Sequence, residues 1–147
     1  MWESIELRIM ISACLLGQNC KYNGGNNKSE KLDKMISKDS ENEIIPICPE
    51  VLGGLSTPRP SAEIVDGVVM NTDGKSVDRQ FRAGAEAALK LAKDKNIDYA
   101  ILQSRSPSCG VNRIYDGTFS GKTITGKGVF AQLLKENGIE TVDIEDL

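Results

Sequence analysis

The 147-residue chain contains no histidine. Hydrolytic triads that use an imidazole base are therefore excluded, as are the common zinc sites that depend on imidazole. Proton transfer falls instead to carboxylates, tyrosine, lysine, cysteine or water. No apolar run approaches the roughly 20 residues that a membrane-spanning helix needs, and the first seven residues carry two glutamates and no basic cluster, unlike a secretory signal. The expected location is the cytoplasm. An excess of positive charge is missing too: 18 Lys and Arg stand against 21 Asp and Glu, a formal net charge of −3. That balance gives no footprint for gripping duplex nucleic acid, although one nucleotide needs only one or two local cations. The glycine pairs Gly24-Gly25 and Gly53-Gly54 belong to neither a dinucleotide nor a Walker fingerprint and read as turns. There is also no internal repeat, no linker and no Cys-x-x-Cys pair.

What is present fits one soluble domain. Length, 39% apolar and 27% charged residues are those of an ordinary globular unit that buries its core without disulfides. Residues 1–147 are read as a single domain, with residues 1–8 as a candidate N-terminal extension. A strand is expected over 7–13, then an irregular glycine-rich stretch over 17–27. A helix follows over 29–37, with Ser29 as N-cap and Leu32, Met35 and Ile36 on one face. After a second strand over 44–48, Gly53-Gly54 and Pro58-Arg59-Pro60 mark a long loop, and 63–70 reads as a hairpin turning at Asp66-Gly67. The clearest helix is 78–94, because Val77, Phe81, Ala85, Ala88 and Ala92 share one stripe while Arg79, Lys90 and Lys93 point away. A third core strand over 99–102 leads into a glycine-studded stretch over 110–126. Val129, Phe130, Leu133 and Leu134 then give a second amphipathic helix that Gly138 ends, before a last strand over 139–144. This β-then-α rhythm predicts a three-layer α/β/α domain with a mostly parallel sheet.

Three of the four cysteines follow apolar runs. Cys14 comes after Ile11-Ser12-Ala13, Cys48 after Ile44-Ile45-Pro46-Ile47, and Cys109 lies in Ser104-Arg105-Ser106-Pro107-Ser108-Cys109-Gly110 beyond the 99–102 strand. Buried parallel strands would bring these thiols to one crevice at their carboxyl ends, where open α/β sheets bind ligands. Three thiolates there can hold a soft metal centre and leave one coordination position open. Each cysteine taken alone is equally well a small buried hydrophobe; it is their convergence that favours a metal. A reducing compartment disfavours disulfides. Cys20, in the polar loop, reads as a free thiol without a metal role. Glu50 follows Cys48 by two residues in a turn made by Pro49. It is placed to act as a general acid or base, or simply to favour the start of the next element. Arg59 between two prolines is either a rigidly presented grip for a ligand's phosphate or carbonyl, or a solvated loop charge. Pro107 stiffens the last loop so that Ser106 and Ser108 become preorganised donors.

Four ordered motifs carry a family resemblance: Ser12-Ala13-Cys14-Leu15-Leu16-Gly17, Cys48-Pro49-Glu50 with Gly53-Gly54-Leu55, Pro58-Arg59-Pro60 with Ala62-Glu63, and the loop 104–110. Together, from Ile9 onward, they resemble the thiouracil desulfidase family. The resemblance implies a Rossmann-like α/β domain holding a 4Fe-4S cluster through Cys14, Cys48 and Cys109, with one open iron that takes the sulfur of a thiolated pyrimidine. It implies Glu50 as acid or base, Ser104, Ser106 and Ser108 acting on substrate or water, and Ser12, Lys21, Tyr22, Asn23 and Arg59 binding the substrate. The implied reaction exchanges C=S for C=O with release of sulfide, a redox-neutral step in which the cluster is a Lewis acid. Lys21-Tyr22-Asn23-Gly24 departs from the Arg-Tyr-Asp-Gly expected in the family; it lacks the carboxylate and leaves Glu50 as the better acid. The implied partner is a small thiolated base or nucleotide, since the negative charge disfavours a large RNA. Two other classes use the same residues. One is a nucleotide-binding module without chemistry, and the other a zinc or redox-thiol protein, which would need a fourth ligand or a Cys-x-x-Cys pair.

Overall fold

The computed structural model describes residues 6–39 and 41–147, so most of the candidate N-terminal extension, residues 1–5, lies outside the described residues. In chain order the elements are β1 (Arg8–Ser12), α1 (Glu30–Lys38), β2 (Glu43–Ile47), α2 (Pro49–Leu52), β3 (Ala62–Val65), β4 (Val68–Asn71), α3 (Asp78–Asp94), β5 (Tyr99–Leu102), β6 (Arg113–Tyr115), β7 (Thr123–Thr125), α4 (Val129–Glu136) and β8 (Thr141–Asp143), with 3-10 turns at Ala13–Leu16 and Ile144–Asp146. The central sheet has the order β2-β1-β5-β8 and every pairing in it is parallel. The chain thus winds outward from β1 to β2 and later returns across β1 to β5. Such a reversal opens a crevice outside the carboxyl ends of the flanking strands.

Both faces of the sheet are covered. Met10, Ile45, Ala100 and Leu102 pack with Phe81, Ala85 and Ala88 of α3 and Phe130 of α4. Ile9, Ile11 and Ile101 pack on the other face with Leu32 of α1. Successive strand residues go to opposite layers, so each strand must be apolar throughout, which is why these runs do not alternate with polar residues. Pro46 has no N–H to give a ladder and sits exposed on β2, at the edge of the sheet.

The expected helices form for the expected reasons. Ser29 Oγ accepts from Leu32 N (3.2 Å) and starts α1, and α3 buries Phe81, Ala85, Ala88 and Ala92 along one stripe. The hairpin between β3 and β4 turns at Asp66 (φ 49) and Gly67 (φ 80), the paired positive φ values of a type I′ turn. Other boundaries move. The first strand ends at Ser12, because residues 13–16 wind into the 3-10 turn closed by Gly17 at φ 94. Cys48 is the N-cap of α2 rather than a strand residue, and the last strand is shortened by the turn at Ile144–Asp146. The 110–126 stretch contains an antiparallel hairpin, β6 with β7, whose three-residue strands are too short to show any alternation.

Two glycines let α2 sit directly on α3. A Cβ on Gly84 would collide with the carbonyl of Pro49, and one on Gly53 with the carbonyl of Gln80. Gly84→Ala should therefore lever α2, which carries Glu50, off its seat. Overpacking of this kind costs roughly 1–3 kcal/mol, so a thermal melt of the variant should show a midpoint several degrees lower. An unchanged midpoint would mean that the contact yields without strain.

Candidate active site

The sequence motifs meet at the carboxyl edge of the sheet, around a cavity of about 650 Å³, within the roughly 300–1,000 Å³ typical of small-molecule sites. Cys14 comes from the turn after β1, Cys48 from the cap of α2 after β2, and Cys109 from the loop after β5. All three line the cavity, Cys20 joins them on its wall, and all four are free thiols.

Local structure holds the Cys109 loop firmly. Ser106 Oγ accepts from the backbone N–H groups of Ser108 (3.1 Å) and Cys109 (3.0 Å). No side chain caps α4. Its first amides donate to the loop instead, Val129 N to Pro107 O (2.8 Å) and Phe130 N to Ser108 O (2.9 Å). Donors that a helix start would otherwise leave orphaned thus tie the cysteine loop to the core through the fully buried Phe130.

Glu50 lies in the first turn of α2 and is gripped from both sides. Its Oε1 accepts from Ser108 Oγ (2.8 Å) and its Oε2 from Arg59 Nη2 (3.0 Å), while Cys48 Sγ stands 3.8 Å from Oε2. Because Ser108 gives its proton to Glu50, the 3.0 Å contact between Ser106 Oγ and Ser108 Oγ has Ser106 as donor. Arg59 spends both Nη atoms on protein: Nη1 on Ser56 O and Thr57 Oγ1, Nη2 on Cys20 O and Glu50. The Arg59 side chain is only 8% exposed and that of Glu50 16%, so this pair feels less solvent screening than a surface ion pair.

Cys109 is buried, and Cys14 and Cys48 are half-buried. Burial raises Cys14 from the ordinary thiol value of 9.0 to about 11 and Cys48 to about 12, and it raises Cys109 as well; the Glu50 carboxylate adds to each shift, and Lys21 offsets a part of it at Cys14 only. A protonated thiol is therefore the favoured form until a thiophilic cation replaces the proton. That donor set fits a positively charged iron-sulfur centre. Among the described residues no three His, Cys, Asp or Glu side chains close on a single metal ion, whereas a cluster distributes its thiolates over several irons. The sign for the metal-free protein follows. Raised thiol values in the folded state stabilise it below pH 9, and the contribution disappears as pH climbs through the folded values. Urea unfolding should show stability falling between about pH 9 and 12, with a shallower fall in Cys48→Ala.

The remaining candidates reach different places. Lys21 and Tyr22 line the cavity, with Lys21 Nζ bonded to Asn27 Oδ1 (2.8 Å) and Tyr22 48% exposed at the rim. Asn23 is not on the cavity wall; its Oδ1 accepts from Gly25 N (2.9 Å) in a local turn. Ser12 and Ser104 line the cavity, yet Ser12 Oγ accepts from Gln103 N (3.0 Å) and Ser104 Oγ donates to Glu145 Oε1 (3.1 Å). Ser108 is 1% exposed and off the wall, and its hydroxyl reaches Glu50. Sequence reasoning missed Gln103, Glu63 and Asn71 as cavity residues and put Cys20 apart from the other thiols. Of these only Glu63 stood within a quoted motif.

Fold and site together define a three-layer α/β protein with a thiol- and carboxylate-lined crevice at the winding reversal of its parallel sheet. The chain belongs to the 2-thiouracil desulfurase family, which matches residues 9–146. It is 42% identical over 149 residues to the protein YbbK of Bacillus subtilis (strain 168), covering 95% of this chain and 97% of that one. Among solved structures it is similar to the 4Fe-4S-dependent thiouracil desulfidase TudS, with a TM-score of 0.88 and 40% identity over 97% of this chain and 93% of that one.

Proposed function

We propose that this protein hydrolyses the C=S group of thiouracil to C=O, using a 4Fe-4S cluster held by Cys14, Cys48 and Cys109. The observation that carries the reading is the convergence of these three thiols and Glu50 on one cavity in a chain without histidine. When bound, the cluster supplies a soft Lewis acid at the iron that lacks a cysteine, suited to the sulfur of a thiocarbonyl. Glu50 takes a proton from the attacking water and returns it to the departing sulfur, and relays the second water proton as the carbonyl forms, so that water and thiocarbonyl become carbonyl and hydrogen sulfide with no electrons gained or lost. Ser108 and Arg59 both donate to Glu50, which orients the carboxylate and keeps it able to accept. They are positioning residues. Lys21 and Tyr22 at the rim meet the part of the substrate that extends outward, base or nucleotide. No described helix is long and apolar enough to cross a membrane; the composition and the absence of basic signatures read above are those of a single cytoplasmic domain.

The direct test uses protein reconstituted anaerobically with iron and sulfide. Loss of the thiocarbonyl absorbance of thiouracil should accompany release of uracil and sulfide. An intact cluster with no sulfide from thiouracil, thiouridine or thiouridine phosphate overturns the reading. A colourless, zinc-containing or metal-free protein that binds nucleotides points to the rival classes.

A further inference from the structure

Gln103 follows β5 at its carboxyl end and lines the cavity. Its Oε1 is the one buried side-chain polar atom among the described residues that has no hydrogen-bond partner. Such an orphan costs free energy unless something completes it. The carboxamide is not ambiguous in orientation, because Nε2 faces the carbonyl oxygen of Ser104 (3.3 Å), which can only accept. Its other bond, to Ser104 Oγ, is 3.4 Å. Both are long, so the side chain gives up little if it shifts to offer Oε1 a stronger partner.

Neighbouring polar groups are already occupied. Ser12 takes Gln103 N, Ser104 gives to Glu145, Ser106 takes two backbone amides, and Glu50 is held by Ser108 and Arg59. Ser12 stands two residues before Cys14, so Gln103 is one shared serine away from the segment that carries a proposed cluster ligand. A group that completes Oε1 must donate, and Gln103 lines the same cavity as the three proposed cluster ligands. In thiouracils the N3–H is adjacent to the thiocarbonyl whether sulfur is at position 2 or 4, and it survives when a ribose is attached. We infer that Gln103 is a specificity-determining residue that accepts the N3–H of the pyrimidine, which rests on the thiouracil reading of this site. Substrates without that hydrogen lose the bond and leave the acceptor unpaired, the more discriminating of the two effects.

Calorimetric titration of the cluster-loaded protein with uracil and with 3-methyluracil tests this apart from turnover. Wild type should prefer uracil by about tenfold or more. Gln103→Ala removes the acceptor and opens room for the methyl group, so the preference should vanish or invert. Gln103→Met, similar in size, should weaken uracil by about tenfold with unchanged visible spectrum and melting temperature. An undiminished preference in Gln103→Ala, or equal weakening of both ligands, overturns the role of Gln103 while sulfide release by wild type keeps the enzyme reading intact. Wild type that neither binds uracil nor releases sulfide overturns both.

Discussion

Cys14→Ala, Cys48→Ala and Cys109→Ala should each purify without a stable brown chromophore and release sulfide from thiouracil only at background rate, whereas Cys20→Ala should keep colour and turnover. Each proposed ligand is delivered by a different element: the turn after β1, the cap of α2, and the loop clamped by α4. Losing one leaves two of the proposed ligands, and no histidine exists to replace it. Cys20 contributes differently. Its backbone carbonyl, not its thiol, receives Arg59 Nη2 at 2.9 Å, and alanine preserves that carbonyl. Iron content and the visible spectrum of anaerobically reconstituted protein decide the matter. Loss of the cluster in Cys20→Ala alone would show that the ligand set is wrong.

Glu50→Gln should retain the cluster and thiouracil affinity but turn over about 10²-fold or more slowly, the usual scale for a lost acid or base. Glutamine matches glutamate in size and can still accept from one of Ser108 and Arg59, so α2 keeps its seat on α3. What is lost is the ability to take and return a proton. Steady-state kinetics should show the fall in kcat with little change in KM, and Ser108→Ala should fall less, because Arg59 still holds the carboxylate. A fully active Glu50→Gln enzyme would remove Glu50 from the chemistry and leave proton transfer to water.

Much of this architecture is written locally. The 78–94 helix follows from the spacing of Phe81, Ala85, Ala88 and Ala92, the start of α1 from Ser29, and the hairpin turn from Asp66-Gly67, because periodicity and capping act within a few residues. The position of Cys14, Cys48 and Cys109 beyond apolar strands was legible for the same reason, and the motifs around them marked Glu50. The β6–β7 hairpin was not, since strands of three residues carry too little pattern and are held by pairing with each other.

Tertiary structure alone decided which of the marked side chains face the cavity and which face protein. A serine or arginine beside a cysteine motif has the same appearance in sequence whether it binds substrate or fixes a neighbour. Arg59 turned to Glu50, Ser108 reached the same carboxylate from 58 residues away, and Ser12 closed on Gln103 across 91. The unpartnered oxygen of Gln103 and the seating of α2 on Gly84 have no local signal at all. Sequence spacing determines what each segment can be, but the order β2-β1-β5-β8 determines which segment ends lie side by side, and hydrogen-bond partners are chosen only after that order has closed the crevice.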